Sequence, residues 1–271
     1  VTAIITLLTD FGQRDSYVAE VKGVLLSAAP GVQIVDITHE IAPGNIFAAQ
    51  YVLGRTWQRF PPGTVHLAVV DPTVGTRRRI IAAMHHQHRF VAPDNGLLTP
   101  VLAGASMVEV PVPAEASPTF HGRDVMAPVA ALLARGSPLE RVGRVISNPI
   151  RTPLPTPRPD PQGMVGCVVY VDRFGTLVTN LRGSVAPEAG ETLPTENAAK
   201  RPAGAGVATP GAAAVVAAGH AIPLRRTFAD VTPGELVAFV GSGGTIEIAL
   251  RDGSASERLG VKEGVEVRLR A

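Results

Sequence analysis

The sequence predicts an α/β chain of two parts: an N-terminal domain with a largely parallel central sheet, and a smaller C-terminal antiparallel β-barrel. Three observations carry that expectation. Through the first half, short β-branched runs alternate with segments of helical periodicity, the pattern of a sheet covered on both faces. A proline-rich stretch, NPIRTPLPTPRPDPQG at 148–163, then breaks every periodicity, because proline fixes φ and lacks an amide hydrogen, so no regular element is expected there. Beyond it come short β-rich runs separated by turn residues. The expected boundaries are 1–148 for the first domain, 149–163 for a semi-rigid linker and 164–271 for the second domain.

In order along the first half, strands are expected at 3–8, 33–37, 65–70, 80–84, 89–92 and 107–110. Helices are expected at 16–28, 46–59 and 125–134, where apolar residues recur at helical spacing. In the second half the strands are 166–172, 177–181, 236–240, 245–250 and 265–269. Between 186 and 221 the chain becomes rich in Ala, Gly and Pro, and part of it reads as an elaborated loop. The opening VTAIITLLTDFG has no basic segment and meets an acid at Asp10, so it reads as a first strand and not as a signal peptide. Ligands of parallel sheets gather beyond the carboxyl ends of strands, and Asp10, Asp36 and Asp71 each follow a β-rich run.

Composition narrows the function classes. An apolar fraction of 45% and a charged fraction of 18% describe a globular chain, long enough for two ordinary cores. The net charge of +2 is slight, so a small polar metabolite is a better expected partner than nucleic acid. No apolar run reaches the roughly 18 residues that would span a bilayer. Cys167, the single cysteine, lies in MVGCVVYV and reads as a small buried apolar side chain in a protein of the reducing cytoplasm.

Several motifs hold residues suited to chemistry. In VVDPTVGTRRR, Asp71 closes a strand and Arg78 follows a turn, so the two can touch, while Arg77 and Arg79 read as solvated neighbours. In TFHGRD, His121 titrates near neutrality and suits proton transfer. Gly122 beside it allows close backbone approach to a ligand, and Asp124 reads as a helix cap. Asp10, in TDFG, has two oxygens that match the two hydroxyls of a ribose diol. HHQH at 85–88 reads as a solvated hairpin, not a metal site. GSGG at 241–244 fits either a tight hairpin or an anion nest.

Taken in order, TDFG, DITH, VVDPTVGTRRR, PDNGLLTPV, FHGRDVMAP, VDRFGTLVTN, FADVTPGE and GSGGTIEIA resemble the S-adenosyl-L-methionine (SAM) hydroxide adenosyltransferase family, relatives of the fluorinase and chlorinase. The resemblance implies hydrolysis of SAM to adenosine and L-methionine with no metal or redox cofactor. It also implies a homotrimer whose site lies between the first domain of one subunit and the second domain of its neighbour. Asp71, Arg78 and His121 fall on the catalytic positions. Asp10 falls on the ribose-binding acid, and Pro72, Phe120, Asp172, Phe174, Thr176 and Ser242 fall around the adenosyl and methionine parts. Thr176 departs from the usual Asn, which weakens or water-bridges the expected methionine contact. Two alternatives use the same pocket: a non-catalytic SAM or adenosine sensor, and a halogenase. Against the latter, Asp71 would repel a halide by about 4 kcal/mol at about 4 Å and an effective dielectric near 20, before Arg78 offsets it.

Overall fold

The computed structural model describes residues 2–183 and 214–270, and the chain divides into two compact units, Val1–Pro153 and Leu154–Ala271. The first unit contains β1 (Ile4–Thr9), α1 (Tyr17–Ala28), β2 (Gln33–Thr38), α2 (Ile46–Thr56), β3 (Val65–Val69), β4 (Ile80–His85), β5 (His88–Pro93), β6 (Ser106–Val110), α3 (Ala127–Ala134) and β7 (Arg144–Val145). α2 begins at the Asn45 cap, whose side chain accepts from the Ala48 amide at 3.0 Å, a bond worth about 1 kcal/mol. α2 stops at Thr56, and the expected helix continues as a tighter turn, Trp57–Arg59.

The sheet runs β2-β1-β3-β5-β4-β6-β7. Its parallel character lies in β2, β1, β3 and β5; the remaining strands join antiparallel, so the sheet is mixed. The change of direction comes from HHQH, which is a hairpin turn as expected, with His86 and Gln87 both at positive φ. His88, however, is buried against Trp57 instead of solvated. β3 is buried along all five residues, because both faces of the sheet are covered. On one face Ile5, Leu7 and Leu67 pack with Val21, Leu25 and Ala130 of α1 and α3. On the other, His66 and Phe90 stack at 4.9 Å, and Trp57 meets Phe90 edge-on at 5.8 Å.

This strand order places the site. β4 runs opposite to β3, and β6 opposite to β4. The ends of β1, β2, β3 and β6 and the start of β4 therefore share one edge of the sheet. Asp10, Asp71, Arg78 and His121 lie just beyond that edge on three connections, Asp71 and Arg78 sharing the one between β3 and β4.

The second unit contains β8 (Arg158–Asp160), β9 (Gly163–Val171), β10 (Leu177–Arg182), β11 (Ala214–Ala217), β12 (His220–Pro223), β13 (Leu236–Val240), β14 (Thr245–Leu250), α4 (Ala255–Leu259) and β15 (Glu266–Arg270). The order β12-β11-β15-β9-β10-β14-β13 is antiparallel throughout. A bridge from Leu224 to Ala238 brings its two ends together, so the sheet nearly closes into a barrel around Val168, Leu177, Ile248 and Val267. Three expectations change. The proline-rich stretch does hold a strand, β8, which among the described residues pairs only with β9; proline is tolerated on such an edge. Residues 214–221, in the stretch where a loop and no strand was expected, belong to the β11–β12 hairpin, whereas the rest of the Ala/Gly-rich segment lies outside the described residues. Cys167 is half-buried, not buried, and partial burial pushes its thiol pKa up, away from reactivity.

Candidate active site

Three buried polar side chains meet at the sheet edge. The Arg78 guanidinium binds Asp71 through Nε, at 3.1 Å from Oδ1 and 2.8 Å from Oδ2, and through Nη2, which donates to Oδ2. The same Nη2 lies 2.9 Å from His121 Nδ1. The Asp71 and Arg78 side chains are 5% and 6% exposed and His121 as a whole residue is 5% exposed, so these bonds are shielded from competing water and the fork geometry is held. Residue 71 and residue 78 meet because the intervening turn folds on itself: Thr76 donates to the Thr73 carbonyl through both its amide and its hydroxyl. Gly75 has φ +78, and a Cβ there would lie 2.5 Å from the Pro118 carbonyl. The turn thus packs backbone to backbone against the loop that delivers His121.

A guanidinium has only donors, so His121 Nδ1 accepts and the proton of the neutral ring sits on Nε2. Burial first, and the Arg78 charge second, hold the His121 pKa below the usual imidazole value, against Asp71 and Asp124, which work upward. Arg78 Nη1 is buried with no hydrogen-bond partner among the described residues. An unsatisfied buried donor is costly, and an incoming oxygen can take this one.

Asp10 stands beside this triad. Its Oδ2 accepts from the Gly44 amide at 2.8 Å. Burial raises its pKa and nearby Asp71 adds to the rise, opposed by the Gly44 bond. Gly44, at φ +72, lies against Pro72, so Asp10, Gly44 and Pro72 form one wall. Phe120 meets Phe11 at 5.8 Å and Tyr17 at 5.4 Å, both edge-on, which gives an apolar face next to His121. Residues 122–126 form a π-helical turn, Gly122–Met126, ahead of α3, a local distortion frequent at functional sites.

The second unit collects a different group. Asp172 Oδ1 accepts from the amides of Phe174 and Thr176, each at 2.9 Å, a tight turn that leaves Phe174 76% exposed. Asp172, Phe174 and Thr176 line an open depression of ≈ 890 Å³ with Phe228, Glu247 and Arg251. Ser242 does not line it; it lies in the β13–β14 turn. Glu247 and Arg251 are additions that the sequence reading missed; strand periodicity marks Glu247 as outward-facing but says nothing of a concavity.

Some first-unit residues do other work than expected. Arg79 is no solvated neighbour: its Nε donates to buried Asp94 at 2.8 Å, and its Nη groups hold Asn148. Asp124 is not a helix cap, since its Oδ2 ties down the Ser117 amide at 2.9 Å. The approach that Gly122 permits is to Val69 and Phe11. Asp36 lies within β2 and not beyond it. Asn95, unmarked in the sequence reading, donates to the Val70 carbonyl at 2.8 Å and fixes the residue before Asp71.

Two family models match nearly the whole chain: the SAM hydroxide adenosyltransferase N-terminal domain over residues 5–143, and the C-terminal domain of the same name over 166–268. A curated "(R)-S-adenosyl-L-methionine hydrolase" of Thermus thermophilus is 39% identical over 278 residues, covering 97% of each chain. One of the same name from Salinispora tropica is 37% identical and covers 100% of this chain and 98% of its own. A fluorinase of Actinoplanes sp. is 30% identical, covering 97% of this chain and 96% of its own. A crystal structure of an uncharacterized conserved protein from Thermotoga maritima superposes with a TM-score of 0.84 at 35% identity, over 98% of this chain and 100% of that one.

Proposed function

The chain belongs to the SAM hydroxide adenosyltransferase family, and on that premise we propose how Asp71, Arg78 and His121 make it a SAM hydrolase. The enzyme splits SAM into adenosine and L-methionine. Water attacks C5′ of the adenosyl group in line with sulfur; the C5′–S electron pair leaves on sulfur as the methionine thioether, and the water gives up one proton. The observation that carries this reading is the buried triad with its unpartnered Arg78 Nη1.

Each member has a role set by its bonds. His121 Nδ1 is occupied by Arg78, so its Nε2–H donates to the water oxygen and orients a lone pair toward C5′. That leaves Asp71 as the acceptor of the water proton, through lone pairs that Arg78 does not use. Arg78 stabilises the hydroxide as it forms. The attacking oxygen is becoming negative while the sulfonium is positive, so a site shielded from bulk water strengthens their attraction. A halide brings no proton to hand over and meets the Asp71 charge, so hydrolysis is the reading these side chains favour. The scheme draws on no metal or redox cofactor.

Asp10 binds the ribose diol, with Pro72 and Phe120 against the nucleoside. Asp172, Phe174, Thr176 and Ser242 belong to the adenosyl and methionine side of a site completed by a neighbouring subunit in a homotrimer. Phe174 and Phe228, 76% and 46% exposed beside that depression, are apolar surface that a partner would cover. The (R) sulfonium epimer is the substrate, as in the names of the relatives. Residence in the cytosol completes the proposal; free Cys167 suits a reducing compartment.

The test is SAM in ¹⁸O-labelled water. The expected products are L-methionine and adenosine labelled at the 5′ oxygen, with the (S) epimer left unconsumed. Asp71→Asn should lower kcat by about 100-fold or more. Turnover by that variant at the wild-type rate would remove Asp71 from proton transfer, and binding of SAM without any adenosine would establish the sensor instead.

A further inference from the structure

We propose that His39, from the DITH segment, is a positioning residue for the Asp10 carboxylate; the inference rests on the reading of Asp10 as the ribose-binding acid. His39 follows β2 and is 1% exposed. Its Nδ1 lies 2.8 Å from Thr9 Oγ1, and its carbonyl accepts from the Gly12 amide at 2.8 Å. Thr9 Oγ1 in turn accepts from the Phe11 amide at 3.3 Å. Residues on both sides of Asp10 are therefore tied, directly or through one hydroxyl, to a single histidine.

A carboxylate flanks the imidazole: Nε2 lies 3.1 Å from Asp36 Oδ1, near it but out of hydrogen-bond alignment, and Lys22 Nζ donates to Asp36 Oδ2 at 2.6 Å. The backbone that leaves His39 reaches Gly44, whose amide binds Asp10 Oδ2. One residue thus sets the backbone on either side of the acid and starts the segment that fixes the carboxylate itself. A carboxylate that must meet two adjacent hydroxyls with its two oxygens tolerates little rotation. Core packing alone does not account for a buried histidine with a polar partner on Nδ1 and a carboxylate beside Nε2, because an apolar side chain of similar volume would fill the same space without the desolvation cost.

The experiment titrates the full-length protein calorimetrically with adenosine and with 2′,3′-dideoxyadenosine, beside steady-state kinetics on SAM. Wild type should prefer adenosine, and Asp10→Asn should erase the preference. His39→Ala should weaken adenosine about 10-fold and leave dideoxyadenosine unchanged, with KM for SAM raised by a similar factor and kcat within about twofold. His39→Asn, whose amide reaches the Thr9 hydroxyl, should recover most of the loss. Thr9→Val cuts the same link from the other side with little change of shape, so it should act in the same direction and add little to His39→Ala. Equal weakening of both nucleosides by His39→Ala and by Thr9→Val, or none, overturns the role of His39 while Asp10 keeps its own. Absence of any preference in wild type removes the ribose reading and the His39 proposal together.

Discussion

At the scale of single residues, the proposed mechanism depends on a proton count at His121. The neutral ring accepts from Arg78 at Nδ1, and an imidazolium has no acceptor to offer. Burial and the Arg78 charge both lower its pKa, so the neutral form that the proposal requires persists through neutrality. We expect kcat/KM to be flat near pH 7 and to fall only as pH drops through a value below the ordinary 6.5. In His121→Asn that acid limb should disappear from the pH profile along with most of the rate; a wild-type limb centred above 6.5 would contradict the assignment. Much of this was legible in the sequence. Asp71 and Arg78 stand seven apart across a turn, and His121 beside a glycine is a plausible proton carrier. What the sequence could not supply was direction: that Arg78 takes Nδ1, leaving Nε2 outward, depends on the 2.9 Å contact between residues 43 apart. Arg79 was misread for a related reason, since its partners Asp94 and Asn148 are 15 and 69 residues away.

At the scale of elements, turns and strands hold these residues at some cost. Gly75 lies at φ +78 with the Pro118 carbonyl where a Cβ would go. Gly75→Ala pushes the 71–78 turn off the loop that carries His121, and backbone cannot yield as a flexible side chain does. Its expected signature is a fall in kcat of about 10-fold or more with a loss of about 1–3 kcal/mol in denaturant unfolding. Strands β3 and β5 carry a second consequence. His66 is 1% exposed between Thr6 and His88, and burial, with the neighbouring His88, pushes its pKa down to about 3. The unfolded chain takes up a proton near 6.5, but folded His66 refuses it until about 3. Stability is therefore lost as pH falls across that window, by about 1.4 kcal/mol per pH unit, and unaffected above it. His88, pushed down by burial and by His85 and His86, adds to the slope. His66→Gln should flatten the dependence of Tm on pH below 6.5; an unchanged slope would remove His66 as its source. Strands and helices of the first unit were readable because their periods match buried faces. The antiparallel half of the sheet was not, because hairpin pairing of β4 with β5 overrides the alternation of strand and helix. β8, β11 and α4 went unread because three to five residues carry too little periodicity to register.

At the scale of the whole molecule, the proposed reading divides one chemistry between the two units: proton handling in the first, and an aromatic-rimmed depression in the second. If the working site joins the first unit of one subunit to the second unit of its neighbour, defects on different chains complement each other. Asp71→Asn disables the first unit only. A Phe174→Ala/Asp172→Ala variant disables the second unit only, and each should be inactive alone. When the two are unfolded together in equal amounts and refolded, subunits assort at random. A site is intact when its first unit comes from the Phe174/Asp172 variant and its second from the Asp71 variant, which happens for about one quarter of sites in a closed cyclic trimer. Recovery of about 25% of wild-type rate on mixing is the expected outcome, with sedimentation showing trimers throughout. A site built within one subunit predicts no recovery at any ratio, because every chain would then carry its own defect. The dependence on mixing ratio sharpens the distinction: recovery should peak at equal amounts and fall symmetrically on either side, as a product of two fractions must.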